Sequence, residues 1–84
     1  MTKIIINADD FGISPGTNKA IITAYKKGLL TSTSIMPNGP AFIEATKLAQ
    51  KNPKLGIGIH LSLTWGKAIL PPTAIPDLVT SDGY

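Results

Sequence analysis

Apolar and polar positions along the chain alternate between two periods, and each change of period marks an element. Lys3 to Ala8 is a short β-branched run with no polar alternation, the pattern of a strand buried on both faces of a parallel sheet. Ser14-Pro15 then supplies an N-cap followed by proline at the first helical position. Ala20, Ile21, Ala24 and Tyr25 recur at helical spacing until Gly28 stops the helix. Lys26 and Lys27 fall in its last turn, where the helix dipole favours cations. Leu30 to Met36, "LTSTSIM", predicts a second strand, closed by the loop "PNGP". Pro40 is expected to open a second helix. Its apolar positions Ala41, Phe42, Ala45, Leu48 and Ala49 share one face, Glu44, Lys47 and Lys51 face water, and Asn52-Pro53 ends it.

"LGIGIHLSLT", residues 55 to 64, predicts the third strand, and its two faces differ completely. Leu55, Ile57, Ile59, Leu61 and Leu63 form an aliphatic face expected to pack under helices. Gly56, Gly58, His60, Ser62 and Thr64 form a small or polar face that points the only histidine of the chain toward a confined interior. From Leu70 onward "LPPTAIPDLVTSDGY" has no clear periodicity and reads as an extended loop leaving the sheet.

The order β-α-β-α-β, with strand ends near residues 9, 36 and 62, is the pattern of an α/β protein with a parallel sheet, either doubly wound or a barrel. Both architectures place their sites at the carboxyl ends of the strands, and Asp9, Asp10, Asn38 and His60 all lie at or just beyond such ends. Three parallel strands leave edges unpaired and a sheet face uncovered. The 84 residues therefore read as an N-terminal βαβαβ part, residues 1–69 with the loop 70–84, of a barrel that needs about 200 residues or more.

Composition narrows the function classes. The chain is 43% hydrophobic and 15% charged, which places it among globular proteins. Its net charge of +3 comes from eight lysines scattered along the chain with few aromatics to stack on bases, so nucleic-acid binding is not expected. With no cysteine there is no disulfide framework and no thiolate metal site, which fits the cytoplasm and restricts any metal to oxygen and imidazole ligands. The apolar run at the N-terminus is too short for a signal peptide or a membrane span.

The adjacent carboxylates of "NADDFG", residues 7–12, have two readings. Asp is favoured where a strand becomes a loop, because its carboxylate accepts nearby backbone N–H groups. Two in succession after a buried strand repel each other in low dielectric, and a cation or a raised pKa is the usual relief. Adjacent strand residues point to opposite sides, so one carboxylate can ligate a metal while the other approaches substrate. His60 is either a satisfied strand histidine or a second ligand, and Gly56 and Gly58 beside it leave room for a ligand or ion or equally for a bulky neighbour from across a barrel. "GISPGTNK" lacks the Gly-Lys-Ser/Thr ending of a phosphate loop, since it has Thr17-Asn18-Lys19. Trp65 suits either a platform for a sugar ring or plain packing.

"INADDFGISPGTNKAI", "GLLTSTSIMPNGPAF" and "LGIGIHLSLTWGKAI" resemble, in order and spacing, the N-terminal third of the YdjC-like carbohydrate deacetylases, a family that includes chitooligosaccharide deacetylases. The resemblance covers residues 3 to about 70. It implies a distorted β/α barrel of the polysaccharide-deacetylase type that binds a divalent metal and removes acetyl from an N-acetylglucosamine unit of a short oligosaccharide. Carried over by position, Asp10 matches the metal-binding aspartate, His60 the first metal-binding histidine and Asp9 the catalytic base. The second metal histidine of the family belongs to a later segment, and this chain has no other histidine. One imidazole and one carboxylate suit zinc, manganese or magnesium. Asn38 and Ser14, on loops at the same rim, are candidates for substrate contact. The competing readings are a phospho-disaccharide hydrolase that uses both aspartates and a noncatalytic sugar-binding protein on the same fold. The expected partner is a small oligosaccharide, with no nucleic acid or membrane, and a homodimer is left open.

Overall fold

The computed structural model describes residues 2–84. Five elements follow in the order β1 (Asn7–Phe11), α1 (Pro15–Lys26), β2 (Ser32–Ile35), α2 (Phe42–Lys51) and β3 (Gly56–Ile59). The strands form one parallel sheet in the order β1-β2-β3. The α/β βαβαβ arrangement predicted from the patterning is therefore the observed one.

Local chemistry explains the first helix well. Ser14 is its N-cap, with Oγ accepting the Thr17 N–H at 3.1 Å, and Pro15 occupies the first turn. At the other end Gly28 takes a φ of +77°, a left-handed conformation in which glycine carries no Cβ penalty. The Gly28 N–H donates to the Tyr25 carbonyl and the Leu29 N–H to the Ala24 carbonyl, the paired bonds of a Schellman terminus.

Phe11, Ile21, Ile22, Leu30, Ile35, Ala45 and Leu55 form the core between one face of the sheet and the helices, with Phe42, Leu48 and Ala49 packed against it. The opposite face follows from the register, which pairs Asn7 with Ser32, Ser32 with Gly56 and Ser34 with Gly58. That face is polar or bare throughout.

Three expectations are corrected. The first strand runs from Asn7 to Phe11 rather than from Lys3 to Ala8, and Ile4, Ile5 and Ile6 are exposed, Ile5 by 80%. β1 is a sheet edge and the two helices cover the sheet elsewhere, so among the described residues no element covers the isoleucines. α2 begins at Phe42, two residues after Pro40. Residues 37–41 are instead taken up by a turn in which Gly39 N–H donates to the Met36 carbonyl and Ala41 N–H to the Gly12 carbonyl. β3 ends at Ile59 rather than Thr64, and of its aliphatic face only Leu55 is buried, while Leu61 is 87% exposed. β3 is the other edge, and among the described residues no third helix lies over it.

Candidate active site

The two aspartates sit in a β-bulge. Ala8 stands opposite Thr33 and Phe11 opposite Ile35, so Asp9 and Asp10 together face the single residue Ser34. Asp10 has a φ of +71° and is the one non-glycine residue with positive φ among those described. In an unbroken register Asp10 would stand opposite Ile35 and project into the core. The extra residue hands that core place to Phe11, which is fully buried, and turns the Asp10 carboxylate to the polar face. The simple alternation expected for this pair, one aspartate on each side of the sheet, is thereby corrected.

On that face Asp10 Oδ1 lies 3.5 Å from His60 Nδ1. The histidine is held one residue beyond β3, where its backbone N–H still donates to the Ile35 carbonyl at 2.8 Å. Nδ1 is buried and has no hydrogen-bond partner. A separation of 3.5 Å is too long for an ordinary N–H···O bond. It is close to the roughly 3.3 Å between two ligands that share one tetrahedral ion at ordinary zinc–ligand distances. An orphaned imidazole nitrogen beside a carboxylate thus fits a divalent cation, with Asp10 and His60 as two of its ligands. Among the described residues no group of three or more His, Cys, Asp or Glu side chains comes together. Gly58 adds to the room, since a Cβ placed on it would meet nothing within 4 Å.

Asp9 is exposed on the same face, and its Oδ1 accepts from Asn7 Nδ2 at 3.0 Å. Asn38 donates through Nδ2 to the Trp65 carbonyl at 3.0 Å, tying the segment after His60 to the β2–α2 loop. Beside it opens a cleft of about 770 Å³, mostly apolar, bounded among others by His60, Leu61, Trp65, Leu70 and Tyr84. Ser14 is committed elsewhere: its hydroxyl serves Thr17 at the cap of α1.

Two residues of consequence went unrecognised in the sequence. Asn7 bridges β1 to β2, and Asn18 is fully buried within α1. Asn18 Oδ1 accepts the Gly12 N–H at 2.7 Å, while Nδ2 donates to the Ala41 carbonyl and to Glu44. Its signal was present, because Asn18, Ile21, Ile22 and Tyr25 share a helical face on which a polar residue is out of place.

Residues 3–84 match the family model described as YdjC-like protein. The chain belongs to the YdjC-like family. A carbohydrate deacetylase of Enterococcus faecalis V583 is 48% identical over 85 residues, covering 98% of this chain and 32% of the relative. One from Thermoanaerobacter pseudethanolicus is 45% identical over 84 residues, covering all of this chain and 34% of the relative. A crystal structure from Enterococcus faecalis V583, of a protein named for cellobiose-phosphate cleavage, superposes with a TM-score of 0.88 at 48% identity. That match covers 95% of this chain and 32% of the other. This YdjC-like chain thus spans about a third of the length of the curated relatives it matches.

Proposed function

We propose that the protein carrying this chain is a metal-dependent carbohydrate deacetylase acting on N-acetylglucosamine units of short oligosaccharides, and that β1 and β3 contribute the first half of its site within a closed β/α barrel. The observation that carries this reading is the pairing of Asp10 with the unpartnered His60 Nδ1, at the carboxyl ends of parallel strands, with Asp9 beside them. The relatives named carbohydrate deacetylases support the reaction class.

Hydrolysis of the amide adds water across the C–N bond and releases acetate and the amine. Asp10 and His60 would hold the cation, zinc or magnesium in type. When bound, the cation supplies a Lewis acid for the acyl oxygen and lowers the pKa of water at the site. Asp9 accepts the proton of the attacking water. Asn38 and Trp65 border the cleft that receives the sugar, with Trp65 offering a flat apolar surface.

The test is product analysis on the complete protein with an acetylated chitobiose. Acetate released with the sugar linkage intact is expected. Free monosaccharides without acetate would overturn the proposal in favour of the cleavage reading. Asp9→Asn is expected to lower turnover by about 10²- to 10⁴-fold, the usual share of a general base. Unchanged turnover in that variant removes Asp9 from the role.

A further inference from the structure

The amide of Asn7 has nearly every hydrogen-bonding group engaged. Its Oδ1 accepts from Ser32 Oγ at 2.8 Å, and its Nδ2 donates to Ser34 Oγ at 3.2 Å and to Asp9 Oδ1 at 3.0 Å. The Asp9 carboxylate can only accept, so it sets the N–H groups of the amide toward Asp9, and the Ser32 hydroxyl, which can either donate or accept, donates to the carbonyl end. Asn7 is therefore clamped to β2 on two sides and offers Asp9 one directed donor. Asp9 precedes the bulge residue, and a bulge loosens the ladder that would otherwise fix a strand side chain. Ser32 and Ser34 lie on a strand paired on both edges, which gives the clamp a rigid base.

We propose that Asn7 is the positioning residue for Asp9: it occupies Oδ1 and leaves Oδ2 as the oxygen presented to the attacking water. The inference rests on the reading of Asp9 as the base. A neutral donor is suited to this place, because it orients the carboxylate without adding a cation next to a metal ligand. In this role Asn7 acts only through Asp9.

The test compares Asn7→Ala and Asn7→Asp with the parent in the complete, metal-loaded protein. Both remove the donor, and Asn7→Asp keeps the size and the acceptor. Each is expected to lower kcat by about 10- to 100-fold, the usual cost of losing an outer partner of a site, with KM and bound metal unchanged. In an Asp9→Asn background the same substitutions are expected to cost almost nothing further, since their effect passes through Asp9. Ser32→Ala, which removes one of the two anchors of the amide on β2, is expected to give a smaller loss of the same kind. An equal loss with and without Asp9, a rise in KM alone, loss of metal or no change at all would each overturn the proposal. A readout independent of turnover separates this from the reaction itself. The side-chain amide NMR signals of Asn7 are expected to move on Asp9→Ala, and a failure to move overturns the positioning role. If the parent releases no acetate, the proposed reaction fails, and the amide signals alone decide whether Asn7 holds Asp9.

Discussion

Asp10 answers to two demands, one from the backbone and one from the site. The bulge needs a residue that tolerates a φ of +71°, and the site needs a carboxylate 3.5 Å from His60. Aspartate meets both, because it enters the left-handed region more readily than most side chains. The two demands can be separated by substitution. Asp10→Gly keeps the backbone and removes the ligand, whereas Asp10→Val removes the ligand and puts a β-branched side chain where its Cβ is strained. Both variants are expected to lose bound metal in elemental analysis of the complete protein. In metal-free urea denaturation only Asp10→Val is expected to be less stable than Asp10→Gly, by about 1–2 kcal/mol. His60→Ala is expected to lose metal in the same assay with little change in metal-free stability, because Nδ1, the buried nitrogen of the ring, has no hydrogen-bond partner to lose.

At the scale of elements, the site depends on how two loops meet behind it. The β1–α1 loop and the β2–α2 loop touch at Gly12 and Gly39, and a Cβ on Gly39 would collide with the Gly12 carbonyl group. Asn18 secures the same junction from α1, bonding Gly12 on one side and Ala41 and Glu44 on the other. Gly12 lies two residues after Asp10, so the junction anchors the end of the bulge. Gly39→Ala must push the two loops apart and is expected to cost about 1–3 kcal/mol in denaturant unfolding. Asn18→Ala leaves the Gly12 N–H and the Ala41 carbonyl without their side-chain partner and is expected to cost about 1–3 kcal/mol. For Asn18→Ala a retained stability would mean that water replaces the amide at this junction.

The whole molecule exposes more surface than its mass calls for. Its accessible area is 6,076 Å², against about 4,800 Å² for a folded monomer of this mass. Its radius of gyration is 14.8 Å, against about 12 Å for a compact domain of this length. The excess area is of the order that a specific interface buries, and it is apolar where it matters. Ile4, Ile5 and Ile6 lie beside one edge of the sheet, and Ile57, Ile59, Leu61 and Leu63 along the other. A polypeptide of residues 1–84 alone is therefore expected to self-associate, eluting above 8.8 kDa in size exclusion and binding a hydrophobic dye. Ile5→Lys with Leu61→Lys is expected to return it toward monomer. Among the described residues no helix is long and apolar enough to cross a membrane.

The sequence by itself determined the order of elements, because strand and helix periods, the Ser14 cap and the Gly28 stop act within a few residues of one another. It also singled out Asp9, Asp10 and His60, through their types and their places at strand ends. Only the tertiary structure decided which way the aspartates face. A bulge exists only relative to the partner strand, and the residue opposite it, Ser34, lies more than twenty positions away in the chain. The same holds for burial of the isoleucines and of the third strand's aliphatic face, which depends on what covers a sheet edge and not on local pattern. The Asn7 clamp and the Asn18 junction were beyond local reading for one reason: their partners are neighbours in space, brought together only when the strands and helices have packed.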